Sequence, residues 1–207
     1  MRRCVIVGGA DIGNYDRIRE RLQADDYVIF CDSGLRHMAR LQVAPGLIVG
    51  DFDSHENPRM AVETIVLPCE KDDTDTVFAV KEAVKRGFEE FLLIGVAGAR
   101  LDHTLGNVSI LLWLDSIGKT GRILDDYSEM EIVSEAPVSV SDRYAYFSLL
   151  NITGCAEGIT ITGAKYPLKD AKISCEYQYG ISNEVRPGET ARISVEKGKL
   201  LLIKITA

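Results

Sequence analysis

The sequence predicts an α/β domain with a mostly parallel, Rossmann-like three-layer sheet, followed by an all-β C-terminal sandwich or barrel domain. Three observations lead there. In the first part of the chain, short continuous apolar runs alternate with helical patterns, as expected of strands buried in a parallel sheet with helices on both faces. Past about Asp126 the helical spacing gives way to short β-rich runs between glycines and prolines. The length, 207 residues, fits one large domain or two small ones.

The strands of the first domain are read at Cys4–Val7, Tyr27–Cys31, Leu47–Val49, Ile65–Leu67 and Phe91–Ile94. Between them, Leu35, Met38, Ala39 and Leu41 share one helix face, as do Val77, Val80 and Val84. Leu101, Leu105, Val108 and Leu112 repeat that spacing. The second domain is read as strands at Tyr144–Leu150, Gly158–Thr162, Ile173–Tyr179, Ala191–Val195 and Leu200–Ile205. Gly154, Gly163, Pro167, Gly180, Pro187-Gly188 and Gly198 punctuate them. The boundary falls near residues 126–136, giving domains 1–128 and 129–207.

Composition narrows the function classes. Hydrophobic residues at 46% and charged residues at 27% are ordinary for a soluble domain that buries a core. A net charge of −7 argues against generic binding to nucleic acid or an anionic membrane, while leaving room for a local basic pocket. No stretch approaches the ~20 apolar residues of a membrane span. The apolar run after Arg2-Arg3 stops at Gly8-Gly9, too short for a signal peptide. Five cysteines without a CxxC pair suit neither a disulfide framework nor a zinc knuckle, and a reducing cytoplasm is the expected compartment.

Chemistry is expected at the carboxyl ends of the strands, where open α/β sheets bind ligands. Asp32 follows one strand; Asp51 and Asp53 follow the next through Gly50; Asp72, Asp73 and Asp75 follow another after a short loop; Asp102 follows the last after Gly95–Arg100. Four loops thus aim carboxylates at one edge. Two carboxylates 4 Å apart repel by about 4 kcal/mol at an effective dielectric of ~20, a cost that a divalent cation removes. An all-oxygen set favours magnesium or calcium, and few carboxylates with phosphate oxygens and water is the usual magnesium arrangement. A metal bound together with a nucleotide is therefore expected.

Blander roles compete. Asp32 can close a turn, and Asp75 can stand at a helix start behind a Thr74 cap. His37 and His55 read as surface residues rather than ligands. There is no GxxxxGK[ST] loop, and Gly8-Gly9 lacks GxGxxG spacing. Asp51-x-Asp53 also imitates the acidic pair of haloacid-dehalogenase-like phosphatases. That pair belongs on the first strand with a threonine two positions on; here it follows the third strand and His55 stands in that place.

Taken in order, six motifs resemble those of the thiamine pyrophosphokinase family, bacterial type. Cys31-Asp32-Ser33-Gly34 is similar to ADGG, Gly50–Ser54 matches GDFDS, Lys71–Asp75 matches KDDTD, and Arg100–Leu105 matches RLDHTL. Lys165–Leu168 resembles KYPL and Gly180–Glu184 resembles GISNE. Two positions depart: Ser33 replaces the first glycine of ADGG, and Ala99 replaces the second glycine of GGRLDH.

The resemblance implies an ATP- and magnesium-binding catalytic domain and a thiamine-binding β-domain. It also implies a homodimer with thiamine near the interface, and diphosphate transfer from ATP to the hydroxyl of thiamine with release of AMP. Magnesium is then assigned to Asp51, Asp53 and Asp75, with Asp32 completing or supporting that shell. Lys71, Asp72, Arg100 and His103 join Asp32 around the nucleotide. Asp102 is the candidate to orient the hydroxyl and take its proton; His103 is the lesser candidate, packing at the helix start being its other role. Ser182 and Asn183 would hold the aminopyrimidine. Tyr166, Tyr177 and Tyr179 could face the cationic thiazolium.

Overall fold

A computed structural model of the chain describes residues 3–52, 59–70, 72–98 and 100–206. Two compact units divide it, Met1–Asp126 and Tyr127–Ala207.

In the first unit the order is β1 (Arg3–Val7), α1 (Tyr15–Arg19), β2 (Tyr27–Cys31), a 3₁₀ helix (Asp32–His37), α2 (Met38–Leu41) and β3 (Leu47–Gly50). Then come β4 (Thr64–Val66), α3 (Asp75–Lys85), β5 (Glu90–Ile94), α4 (Leu101–Ser116) and β6 (Thr120–Leu124). The strands lie in the order β4-β3-β2-β1-β5-β6, every pair parallel. Chain order runs outward from β1 to β4, then resumes with β5 on the other side of β1. The β1/β5 seam is thus the switch point, where a crevice opens beyond the strand ends.

The strands form where apolar residues run continuously, because both faces are covered. Val5, Val7, Val28, Phe30, Ile48, Leu92, Ile94 and Leu124 share a core with Ile12, Tyr15, Ile18, Leu35 and Leu41. Ala79, Val80 and Ala83 of α3 are fully buried at helical spacing. Thr74 Oγ1 accepts from Val77 N at 3.3 Å and caps α3, with Asp75 in its first turn and Lys85 in its last, as the helix dipole favours. Gly118, at φ +71°, follows the end of α4.

Strand β6, which the apolar-run reading does not find, contains Gly121 and Arg122 among few apolar residues. Gly121 is there for space: a Cβ would meet Leu114 Cδ1 at 2.7 Å and Leu111 Cδ2 at 3.0 Å, so α4 packs directly on the strand backbone. The expected helix over 35–41 is also corrected. Its first half is a 3₁₀ turn and only four residues are α-helical, ending at Gln42 with φ 58°.

Among the described residues the second unit holds seven strands: β7 (Ser128–Val133), β8 (Val138–Ser141), β9 (Tyr146–Leu150), β10 (Cys155–Thr162), β11 (Leu168–Ser174), β12 (Thr190–Ser194) and β13 (Leu200–Ile205). β13 pairs antiparallel with β7 and β9, while β11-β10-β12-β8 form a separate antiparallel sheet. One core joins Val133, Phe147, Leu149, Leu200 and Leu202 of the first group to Ile159, Ile161, Ile173 and Ile193 of the second. At the end of this core Lys204 Nζ lies 2.7 Å from both Glu129 and Glu131 across the β7/β13 pair, and Tyr144 donates to Glu129 at 3.0 Å.

The expected strand at Ile173–Tyr179 is corrected to Leu168–Ser174. Beyond Ser174 the chain turns, with Cys175 N on Gly154 O at 3.0 Å and Tyr177 N on Ser174 O at 3.3 Å, and side chains supply further bonds. Gln178 accepts from Asn151 N at 3.0 Å and donates to Asn151 O at 2.7 Å, replacing a ladder.

Candidate functional site

The site begins with two glycines. Beyond the strand ends, Gly8 N donates to Ile94 O at 2.9 Å and Ala10 N to Gly95 O at 2.7 Å, so the β1 and β5 loops stay in contact past the sheet. A Cβ on Gly8 would meet Gly95 O at 2.6 Å, and one on Gly95 would meet Gly8 O at 2.6 Å. Only a glycine pair allows this approach. On the other side of β1, a Cβ on Gly34 would lie 2.2 Å from Val7 O. The turn after β2 is thereby pressed against the end of β1.

Three loops deliver carboxylates beside this seam. Asp32 opens the 3₁₀ helix after β2 and is 5% exposed. Asp51 follows β3, where Gly50 makes room: a Cβ there would meet Asp32 Cβ at 2.8 Å. Asp75 is the first residue of α3. One oxygen from each of Asp32, Asp51 and Asp75 lies within 4.8 Å of the others. Below them Cys31 Sγ donates to Asp75 O at 3.7 Å; burial, then the Asp75 charge, pushes this thiol far above its usual range, so it stays protonated and inert.

Two cavities open here. The smaller, about 280 Å³, is lined by Asp32, Asp51, Thr74 and Asp75. The larger, about 400 Å³, lies over the β1/β5 seam and includes Arg36, Arg100, Thr104 and Asn107. Gly9, Ser33, Thr76 and His103 line both. An acidic compartment therefore adjoins one with two guanidinium groups.

Arg100 holds Asp102 in a two-toothed pair, Nε to Oδ1 at 2.9 Å and Nη2 to Oδ2 at 2.6 Å. Both groups are exposed. The pairing holds the Asp102 carboxyl well below the usual carboxylate range and raises Arg100. A carboxylate so held is charged throughout the neutral range, and a weak base while the pair lasts. Asp72 is exposed, outside the carboxylate cluster; its neighbour Asp73 pairs with Lys81 at 2.7 Å. Asp53, Lys71 and His55 lie outside the described residues.

His37, expected at the surface, is instead 2% exposed. Its Nε2 faces Ala10 O at 2.9 Å and its Nδ1 faces Tyr15 Oη at 2.5 Å. A carbonyl only accepts, so Nε2 carries the proton and Nδ1 receives the Tyr15 hydroxyl. Burial and the Arg36 charge lower the His37 pKa, in keeping with a neutral ring. The residue fixes the β1 loop. Asn107 and Thr104 do the same for the β5 loop: Asn107 Nδ2 donates to Val96 O at 2.8 Å, and Thr104 Oγ1 accepts from Gly98 N at 3.1 Å. Sequence reading missed Arg36, Thr104 and Asn107. The available signal was polar residues on the helical turns directly after strand-end loops.

In the second unit Asn183 is buried, and its side chain is engaged with backbone: Oδ1 accepts from Tyr166 N at 3.1 Å and Glu184 N at 2.9 Å, and Nδ2 donates to Tyr166 O at 2.8 Å. It locks the Tyr166 turn in place. Ser182 is exposed at φ 59°, with its N–H on Ser148 Oγ at 3.0 Å. Tyr166, Tyr177 and Tyr179 are all exposed, the last two with ring centroids 5.5 Å apart.

The family model described as thiamin pyrophosphokinase, catalytic domain, matches residues 18–120, and that described as thiamin pyrophosphokinase, vitamin B1 binding domain, matches 133–200. The thiamine pyrophosphokinase of Bacillus subtilis (strain 168) is 28% identical over 183 residues, covering 84% of this chain and 85% of that protein. Among solved structures, that of thiamine pyrophosphokinase from Bacillus subtilis shares the fold with a TM-score of 0.89 at 24% identity, covering 99% of each chain. The thiamin pyrophosphokinase structure from Geobacillus thermodenitrificans has a TM-score of 0.85 at 27% identity, over 99% of this chain and 98% of that one. With one family model on each structural unit, in order and together spanning most of the sequence, the chain belongs to the thiamin pyrophosphokinase family.

Proposed function

We propose that this chain transfers the terminal diphosphate of ATP to the hydroxyl of thiamine, giving thiamine diphosphate and AMP, with the hydroxyl attacking the β-phosphorus. The observation that carries the reading is the convergence of Asp32, Asp51 and Asp75 beside an arginine-bearing cavity at the β1/β5 switch point. Phosphoryl transfer asks a protein mainly for positioning and charge neutralisation, which such a bipolar cleft supplies.

The donor set fits magnesium: three carboxylates from separate loops, all oxygen, with no nitrogen or sulfur ligand among them. Asp51 and Asp75, with Asp53 as the third expected ligand and Asp32 beside them, would hold it. Bound there, the ion would neutralise charge on the phosphate oxygens and polarise the phosphorus under attack. Lys71, Asp72 and His103 are assigned to the nucleotide side.

Arg100 and Asp102 act as a unit in this scheme. Phosphate oxygens compete for the Arg100 fork. As Arg100 turns to phosphate, Asp102 loses the partner that weakens it as a base and becomes able to orient the thiamine hydroxyl and accept its proton. On the thiamine side, Ser182 offers a hydroxyl and an exposed tyrosine, Tyr166 foremost, offers a face for the thiazolium. Asn183 contributes by holding the Tyr166 turn, and a ligand contact falls only to the N–H left over from that lock.

The first domain, residues 1–128, is a Rossmann-like three-layer unit, and the second, 129–207, is a β-sandwich; one core fed from two sheets supports the latter. A cytoplasmic homodimer with the thiamine site near its interface completes the reading. The five cysteines are thiols outside any disulfide, which suits a reducing compartment. Among the described residues no helix is long and apolar enough to cross a membrane. The test is mass detection of thiamine diphosphate and AMP after incubation with ATP, magnesium and thiamine. ADP as the product, or AMP formation indifferent to thiamine, would refute the assignment.

A further inference from the structure

The larger cavity contains two permanent cations among its described lining residues, Arg36 and Arg100. They differ in what their guanidinium groups have left to give. Arg100 has its Nε and Nη2 closed on Asp102. Arg36 is anchored through Nη2 alone, which donates to Gly9 O and, at 2.8 Å, to Asp11 Oδ1. Its Nε lies 3.4 Å from His37 Nε2. That nitrogen already donates to Ala10 O, so the contact is no hydrogen bond. The Nε–H nevertheless points at the His37 ring, so of five guanidinium N–H groups the two on Nη1 remain to be given.

The local fold aims them. Arg36 lies on the 3₁₀ helix Asp32–His37, where three residues per turn put positions three apart on one face. Ser33 and Arg36 are such a pair, and both line the larger cavity; Ser33 also lines the acidic one. The helix is tied to the β1 loop at two consecutive residues, by Arg36 to Gly9 O and by His37 to Ala10 O. Arg36 is half-exposed but held at Nη2, an arrangement that limits the entropy lost when the remaining N–H groups bind an anion.

We propose that Arg36 binds the phosphate chain of the nucleotide from the side opposite the Asp32–Asp51–Asp75 cluster, with the Ser33 hydroxyl as its neighbour on the same helical face. The inference rests on the nucleotide reading above and adds a residue that its motif set does not contain. The carboxylates would hold magnesium, whose charge would allow phosphate oxygens to enter the smaller compartment. A polyphosphate long enough to leave that compartment passes Ser33 and Gly9 into the larger one and meets Arg36. Arg100 remains available to the β-phosphate, where Asp102 and the incoming hydroxyl act.

The experiment compares wild type, Arg36→Gln and Arg36→Lys in the full-length protein. Affinity for magnesium tripolyphosphate is measured by calorimetry, and KM values for ATP and thiamine by initial rates, each beside a thermal melt. Loss of a charge-assisted contact predicts a Kd for tripolyphosphate and a KM for ATP raised roughly 10- to 100-fold in Arg36→Gln, with the thiamine KM unchanged. Arg36→Lys, keeping the charge without the fork, should recover part of that loss. If Arg36 only anchors the β1 loop, Arg36→Gln melts lower while tripolyphosphate affinity and the ATP KM stay at wild-type values; that result overturns the proposal. Absence of tripolyphosphate binding by the wild type overturns it as well. Should the wild type make no thiamine diphosphate yet bind tripolyphosphate in an Arg36-dependent way, the reaction assignment fails and the anion site stands.

Discussion

Replacing Asp51 by Asn isolates the electrostatics of the carboxylate cluster from the rest of the fold. Asp32, Asp51 and Asp75 each place an oxygen within 4.8 Å of the other two. At that separation a pair of unit charges repels by about 3.5 kcal/mol at an effective dielectric of ~20, and by about 0.9 kcal/mol in bulk water. Asp51 is half-buried and reached by solvent, so the water-like figure is the safer one. The substitution removes two of the three repulsions, about 2 kcal/mol. For a chain of this size each kcal/mol moves the melting temperature by about 2–4 °C. In EDTA, Asp51→Asn should therefore melt about 4–8 °C above wild type. Magnesium reverses the order: at about a hundred times its Kd it would stabilise wild type by about 2.7 kcal/mol and leave the variant nearly unmoved. Turnover should be lost while the fold is kept. Differential scanning calorimetry with and without magnesium reads both halves. A variant that melts below wild type in EDTA, or gains as much from magnesium, would refute the cluster as a metal site.

Gly34→Ala should lower the melting temperature, by about 1–3 kcal/mol in stability, because the added Cβ lies 2.2 Å from Val7 O and backbone cannot swing aside; an unchanged melt contradicts the packing. The Asp102 carboxyl is held low, so the pairing is complete above the ordinary value of 3.8 and fades only as pH falls below it. Activity changes between pH 5 and 8 should thus not come from Asp102 in the free enzyme. Arg100→Gln should move its titration upward toward the ordinary value in a carbon-detected NMR experiment, and no movement would show that Arg100 is not the cause. Attack at the β-phosphorus means that α,β-methylene ATP blocks transfer while β,γ-methylene ATP need not; the reverse pattern excludes the proposed bond cleavage. If each site draws on both chains of a dimer, Asp51→Asn and Tyr166→Ala chains, each inactive, should regain activity on subunit exchange. Heterodimers confirmed by mass yet inactive would exclude the shared site.

Much of the catalytic half was legible because its physics is local. Strands β1, β2, β3 and β5 announce themselves as continuous apolar runs, since a parallel strand covered on both faces has no polar side to show. The acids follow those runs directly, so the strand ends locate them. What escaped depends on contacts distant in sequence. Gly121 and Arg122 make β6 look unlike a strand, and only Leu111 and Leu114 of α4 explain the glycine. His37 looks like a surface histidine until Tyr15 and Ala10 are placed around it. Arg36 sits on a helix whose 3₁₀ pitch cannot be told from α-helical spacing over so few residues. Asn183 shows the opposite case: its motif marks it as a ligand contact, and only the fold reveals that its hydrogen bonds also hold the Tyr166 turn.

The way acids and glycines interleave in these motifs has a single physical cause. Bringing three carboxylates to one point from three loops requires the loop backbones themselves to close up, and a Cβ at the wrong position keeps them apart. Gly50 removes the Cβ that would meet Asp32, and Gly34 the one that would meet Val7 O. Gly8 and Gly95 remove the pair that would hold β1 and β5 open at the switch point. The turns that carry Asp32 and Asp51 thus each have a glycine beside them for a steric reason separate from any ligand, while Asp75 stands at the start of a helix instead. Ser33 shows how far the rule can bend: its hydroxyl occupies the space where a Cβ on Gly9 would lie, 1.9 Å from it, so the glycine across the gap yields the room. A side chain at position 33 is therefore tolerated because Gly9 has none, and the turn keeps its course with a hydroxyl added to the wall shared by both cavities.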